Sequence, residues 1–118
     1  MAMSIERIQP GPLMSQAVVH GDTVHLSGLI AGDLDADTKG QTAQILARID
    51  ELLAAAGTDK SRILKANIWL TDIGEWAQMN EAWTAWIVPG STPARATVEA
   101  KLAARKARVE IMVDAARS

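Results

Sequence analysis

Thr92-Pro93-Ala94-Arg95-Ala96-Thr97-Val98-Glu99, followed after a short loop by Val109-Glu110-Ile111-Met112-Val113, is the stretch that decides the fold of this 118-residue chain. Both segments alternate and favour β-branched residues, so both predict strands. Pro93 suits the entry to a strand, since proline lacks the ladder donor and biases Thr92 toward extended geometry. Each strand carries one charge that a half-buried sheet does not readily solvate. Arg95 falls on the face opposite Ala94, Ala96 and Val98, and Glu110 alternates with Val109 and Ile111.

Working outward, Ile5 to Gln9 predicts an edge strand stopped by Pro10-Gly11-Pro12. Ser15–His20 and Thr23–Ile30 predict a hairpin closed by Gly21-Asp22. On its second strand Val24, Leu26, Gly28 and Ile30 share one face, with His25, Ser27 and Leu29 on the other. Gly28 inside a strand signals a bulge or a close approach by another backbone or a ligand. Residues 32–40 form a polar loop. Thr42, Ile45, Leu46, Ile49, Leu52, Leu53 and Ala56 then recur at helical spacing, and Gly57 stands where a left-handed cap belongs.

Ile63 to Leu70 predicts a strand with Leu64, Ala66, Ile68 and Leu70 on one face and Lys65, Asn67 and Trp69 on the other. Asp72-Ile73-Gly74-Glu75 reads as a capping box opening a second helix to about Ile87, with Trp76, Met79, Asn80, Trp83 and Ile87 along one stripe. Such a stripe packs into a core or an interface. Pro89-Gly90 ends this helix, Lys101 to Ala107 links the last two strands, and residues 115–118 are expected as a tail.

One domain over residues 1–118 accommodates this length. With 48% hydrophobic and 22% charged residues and no long apolar run, a soluble globular protein with no membrane span is expected. The N-terminal segment from Met1 has no secretory pattern, and the lack of cysteine excludes disulfides, so a cytoplasmic location is expected. A net charge of −2 with scattered Lys and Arg supplies no basic stripe, which argues against a nucleic-acid partner. Without Cys or Tyr there is neither a thiolate nucleophile nor a phenol acid, and His20 and His25 lack zinc-motif spacing. No metal is expected.

The element order implies an α+β fold, one mixed β-sheet with two helices packed on one face. The other face is expected to carry Ser27, Leu29, Trp69, Arg95, Thr97, Glu110 and Met112. That mixture suits burial against a partner copy. On residue type, Arg95 and Glu110 read either as a cross-strand ion pair fixing register or as a small-anion site, the guanidinium fork matching a carboxylate.

The residues resemble the RidA/YjgF family of reactive-intermediate deaminases along nearly the whole chain. The matching landmarks are Leu26-Ser27-Gly28, Gln41-Thr42, Asn80-Glu81-Ala82-Trp83, Thr92-Pro93-Ala94-Arg95-Ala96-Thr97-Val98 and Val109-Glu110-Ile111. The resemblance implies a chorismate-mutase-like fold and a homotrimer with a central barrel-like core and sites between subunits. It also implies hydrolysis of 2-imino or 2-enamino acids to 2-oxo acids and ammonia without a cofactor. Arg95 would hold the substrate carboxylate and Glu110 would position water. Ser27, Gly28, Thr97, Asn80 and Met14 would line the site.

Three departures mark a branch outside the central group. Met14 stands where efficient deaminases carry an aromatic residue, Ser27-Gly28-Leu29 replaces Ser-Gly-Gln, and Thr97 takes the place of a cysteine. These leave open a second reading, a metabolite-binding or regulatory protein that takes 2-oxo acids in the same cleft without turnover. A ribonuclease role finds little support in an acidic chain.

Overall fold

The expected hairpin closes at Gly21-Asp22, where Gly21 takes a φ of 62° and His20 pairs with Thr23. Glycine adopts that backbone without the steric cost a side chain would bring. The computed structural model describes residues 4–117; Met1, Ala2 and Met3 of the N-terminal segment and Ser118 of the expected tail lie outside them. The elements are β1 (Ile5–Pro10), β2 (Ser15–His20), β3 (Thr23–Leu26), α1 (Thr38–Ala55), β4 (Ile63–Leu70), α2 (Trp76–Trp86), β5 (Ala94–Glu99) and β6 (Val109–Ala116). Six strands form one mixed sheet in the order β1-β2-β3-β6-β4-β5. Only β4 and β5 run parallel, because α2 supplies the crossover that parallel neighbours require.

Helix α1 begins where Asp37 accepts from the Gly40 N–H at 2.7 Å. It ends at Gly57 (φ 83°), with the Thr58 N–H donating to the Leu53 carbonyl at 2.9 Å. The apolar stripe read from the sequence is its buried face. Ile45, Leu46, Ile49, Leu52 and Leu53 pack with Val24, Leu26, Ala66, Ile68, Leu70, Ile111 and Val113 of the sheet and with Met79 and Trp83 of α2. Each such side chain taken from water contributes about 1.5–3 kcal/mol before entropy is charged against it. No helix among the described residues is long and apolar enough to cross a membrane.

The expected alternation fails in two places, each at a break in the ladder. Strand β3 stops at Leu26 rather than Ile30, and Leu29 rejoins the sheet through a single bridge to Ile111. The slip at Ser27-Gly28 moves Leu29 from the open face into the core, where it is 6% exposed, and turns Ile30 outward. In β4 a register irregularity between Ile63 and Lys65 buries Ile63 and leaves Leu64 53% exposed.

At α2, Asp72 accepts from the Gly74 N–H at 2.8 Å and caps a 3-10 turn over Ile73–Glu75, so the α-helix proper starts at Trp76. Glu75 does not close the expected capping box, because its carboxylate is engaged by Arg108. The expected tail is strand through Ala116, and the Arg117 N–H bonds the Asp22 carbonyl at 2.9 Å. His25 meets Asp114 across the β3–β6 pair, Nδ1 to Oδ1 at 2.6 Å.

Candidate active site

Strand β4 separates β5 from β6, so Arg95 and Glu110 are not cross-strand neighbours. Arg95 stands opposite Ala66, a core residue beneath the helices, whereas Glu110 stands opposite Trp69 on the uncovered face. The expectation that Arg95 and Thr97 share the open face with Glu110 is therefore corrected. On the edge strand β5 the helix side carries Arg95, Thr97 and Glu99, and the open side carries Ala94, Ala96 and Val98. Ser27, Trp69, Glu110 and Met112 keep the expected face. The ion-pair reading of Arg95 and Glu110 fails within one copy.

Helix α2 holds Arg95. Its Nη1 donates to Asn80 Oδ1 at 2.9 Å, and its guanidinium carbon lies 5.2 Å from the centroid of the Trp83 ring. Amide and indole fix the plane of the fork and attract its charge without neutralising it. Burial pushes Arg95 below the usual arginine value. Among the described residues no carboxylate lies in ion-pair reach of it, while Arg48, Arg108 and Arg117 are paired with Glu51, Glu75 and Glu6. Thr97, two residues on along the same side of β5, has a buried hydroxyl with no hydrogen-bond partner among the described residues. Asn80 and Thr97 are thus brought to Arg95. Trp83, read from the sequence only as packing, turns out to touch it.

Glu110 is packed against the β3 slip. A Cβ at Gly28 would lie 3.1 Å from Glu110 Cδ and 3.5 Å from Cγ, and would overlap Oε2. The glycine is needed there for close approach and not for a left-handed φ, and the group that approaches is a side-chain carboxylate rather than the expected backbone or ligand. Beside it Ser27 Oγ is buried without a partner among the described residues. Gly28 also borders a cleft of about 470 Å³ that Met14, Gln16, Arg48 and Glu51 help to line. Leu29 touches this cleft as a core side chain, so the amide absent at that position is not missing from the polar surface around Glu110.

A network that sequence reasoning did not find anchors the loop before β6. Buried Gln41 donates to the carbonyls of Leu34, Ala36 and Lys106 (3.1, 3.1 and 3.2 Å) and accepts from the Arg108 N–H at 2.9 Å. Arg108 in turn donates to both Glu75 carboxylate oxygens (2.7 and 2.6 Å) and to Thr38 Oγ1 at 3.0 Å. Glu75 is held below the usual carboxylate range, first by the Arg108 hydrogen bond, and Arg108 is raised by the same contact. In the sequence Gln41 sits among polar and small residues at a helix start, which did not mark it as buried.

A family model described as Endoribonuclease L-PSP matches residues 5–117. The chain belongs to this family. It is 45% identical over 114 residues to the RutC family protein YoaB of Escherichia coli (strain K12), covering 97% of this chain and 99% of that one. A RutC family protein of Haemophilus influenzae is 40% identical over 112 residues, covering 94% and 97%. Among solved structures, a YjgF protein family member from Neisseria meningitidis matches with a TM-score of 0.96 at 42% identity, covering 100% of this chain and 98% of that one. The RidA/YjgF resemblance and the mixed-sheet fold with two helices thus hold for this L-PSP family chain.

Proposed function

We propose that this L-PSP family chain hydrolyses reactive 2-imino and 2-enamino acids to 2-oxo acids and ammonia, at sites completed by a second copy of the chain. The observation that carries the reading is Arg95: a half-buried guanidinium, oriented by Asn80 and Trp83, with no acidic partner among the described residues. A desolvated cation left without a counter-ion is costly unless an anion arrives, and a planar fork fits a carboxylate.

The second half of the site is Glu110 with Ser27 and Gly28. One copy holds the two halves on opposite faces of its sheet, so a substrate bound to Arg95 meets a Glu110 only from another subunit. A closed homotrimer with three intersubunit sites and a central barrel-like core supplies this arrangement. It also covers Trp69, Met112 and the other open-face side chains.

In the reaction, Arg95 pairs with the substrate carboxylate and fixes the C2 carbon in place. A 2-enamino acid first takes a proton at C3 to become the imine; Glu110 orients a water whose oxygen bonds to C2 as the carbon–nitrogen π bond opens and a water proton passes to the nitrogen. The carbinolamine then collapses, the carbon–nitrogen bond breaks, and ammonia and the 2-oxo acid leave. Orientation and charge placement are the protein's contribution, since such imines also hydrolyse unaided. Ser27 and Thr97 offer hydroxyls that have no partner among the described residues. A nuclease role would need a cationic track, which a net charge of −2 does not provide.

The test generates 2-imino acids with an amino-acid oxidase in the presence of a semicarbazide trap. Wild type should speed loss of the imine, and Arg95→Ala should abolish that effect while keeping the assembly mass unchanged. Wild type that binds 2-oxo acids yet accelerates no imino acid would replace turnover by binding as the role, with Met14 as the first position to restore to an aromatic.

A further inference from the structure

Helix α2 carries another indole on the stripe that meets Arg95. Trp76, Asn80 and Trp83, spaced by four and three, share one stripe of α2. Asn80 and Trp83 on that stripe hold Arg95. Trp76 is 45% exposed, whereas Trp83 is buried, so the core does not account for it.

Two contacts fix the position of α2 along β5. Arg95 meets Asn80 and Trp83, and four residues along the strand Glu99 Oε1 accepts from the Ile73 N–H at 3.1 Å. Seven helix residues rise about 10.5 Å, the length of about three strand residues. With Trp83 over Arg95, Trp76 therefore stands over the stretch from Thr97 to Glu99. A carboxylate on Arg95 can extend its body past the unpartnered Thr97 hydroxyl toward this indole.

We propose that Trp76 is a specificity-determining residue, an aromatic wall that favours 2-imino and 2-oxo acids with a flat aromatic side chain over short aliphatic ones. The proposal rests on the reading of Arg95 as the carboxylate ligand. An offset ring stacked on the indole strengthens binding about two- to tenfold, the range for aromatic pairs. Pyruvate is too short to reach Trp76 and forgoes that gain.

The test is calorimetric titration of the full chain with pyruvate and with phenylpyruvate, which needs no turnover. Wild type should bind phenylpyruvate the more tightly. Trp76→Ala should remove the preference and leave pyruvate unchanged, and Trp76→Phe should keep most of it. A preference that survives Trp76→Ala, or an equal weakening of both acids with a changed assembly mass, would overturn the proposal and make Trp76 a packing residue. Arg95→Ala separates the two levels: it should weaken both acids. If it binds both as wild type does, or if wild type binds neither, the carboxylate reading itself fails and takes the proposal with it.

Discussion

Replacing Gly28 by alanine tests whether Glu110 acts from the position in which it is packed. The new methyl would overlap the carboxylate and lie 3.1 Å from its Cδ, so Glu110 must swing away. The obstructing group is the end of a flexible side chain, and Gly28 has no left-handed φ that alanine would resist. Moving a side chain off its rotamer costs about 0.5–1.5 kcal/mol. Restricting the unfolded chain by a Gly-to-Ala change contributes about 0.4–1 kcal/mol in the opposite direction. Stability should therefore change by less than about 1 kcal/mol. Catalysis should suffer far more, because a displacement of about 1 Å in a positioned group can cost about 100-fold in rate. Thermal unfolding and imine-hydrolysis kinetics, measured on one preparation, should show a nearly constant Tm and a kcat lowered by one to two orders of magnitude. Full activity in Gly28→Ala would refute the assignment of Glu110. A large fall in Tm would show that the added methyl strains the backbone and does not merely displace the carboxylate.

Glu110→Gln should keep 2-oxo acid affinity, which belongs to Arg95, and lose about 100-fold in kcat; equal losses in affinity and rate would contradict the division of roles. Leu29→Gln restores the amide of related chains but places it in the core, so urea denaturation should show a loss of about 2–4 kcal/mol, and imine hydrolysis should gain nothing. For the Arg108–Glu75 pair the depressed carboxyl means that its stabilisation is present above the ordinary carboxylate range and disappears as pH falls through the lowered folded value. Arg108→Gln should thus destabilise by about 1 kcal/mol near neutral pH, a figure discounted for the exposure of Arg108, and by less as Glu75 protonates. A difference independent of pH would place the effect in packing.

Much of the fold is legible because local rules act on consecutive residues. The hairpin at Gly21-Asp22, the body of the first helix through Gly57 and the strand from Ile63 to Leu70 follow from turn chemistry, capping and period, each of which spans only a few positions, whereas the helix begins at Thr38, inside the expected polar loop. The failures come from contacts distant in sequence. Leu29 and Leu64 changed sides because a slip at Ser27-Gly28 and an irregularity beside Lys65 shift the phase of an otherwise sound alternation; Gly28 signalled a bulge without saying which way the residues after it would turn, and no residue marked the irregularity beside Lys65. Glu75 left its capping box for Arg108, thirty-three positions away. Gln41 gave little sign that it would serve two loops at once.

By itself the sequence determined the elements, the family and the residue types of the candidate site: an arginine on one strand, a glutamate on the last, and a glycine inside the hairpin's second strand. Alternation divides a strand into two faces but does not name the inward one, and at β5 the more apolar face is the open one. Only the tertiary structure decided that Arg95 turns beneath α2 to Asn80 and Trp83 while Glu110 faces outward over Gly28. The physical reason lies in the strand order. With β4 between β5 and β6, and α2 covering the edge as the β4–β5 crossover, the two charges emerge on opposite faces of one sheet.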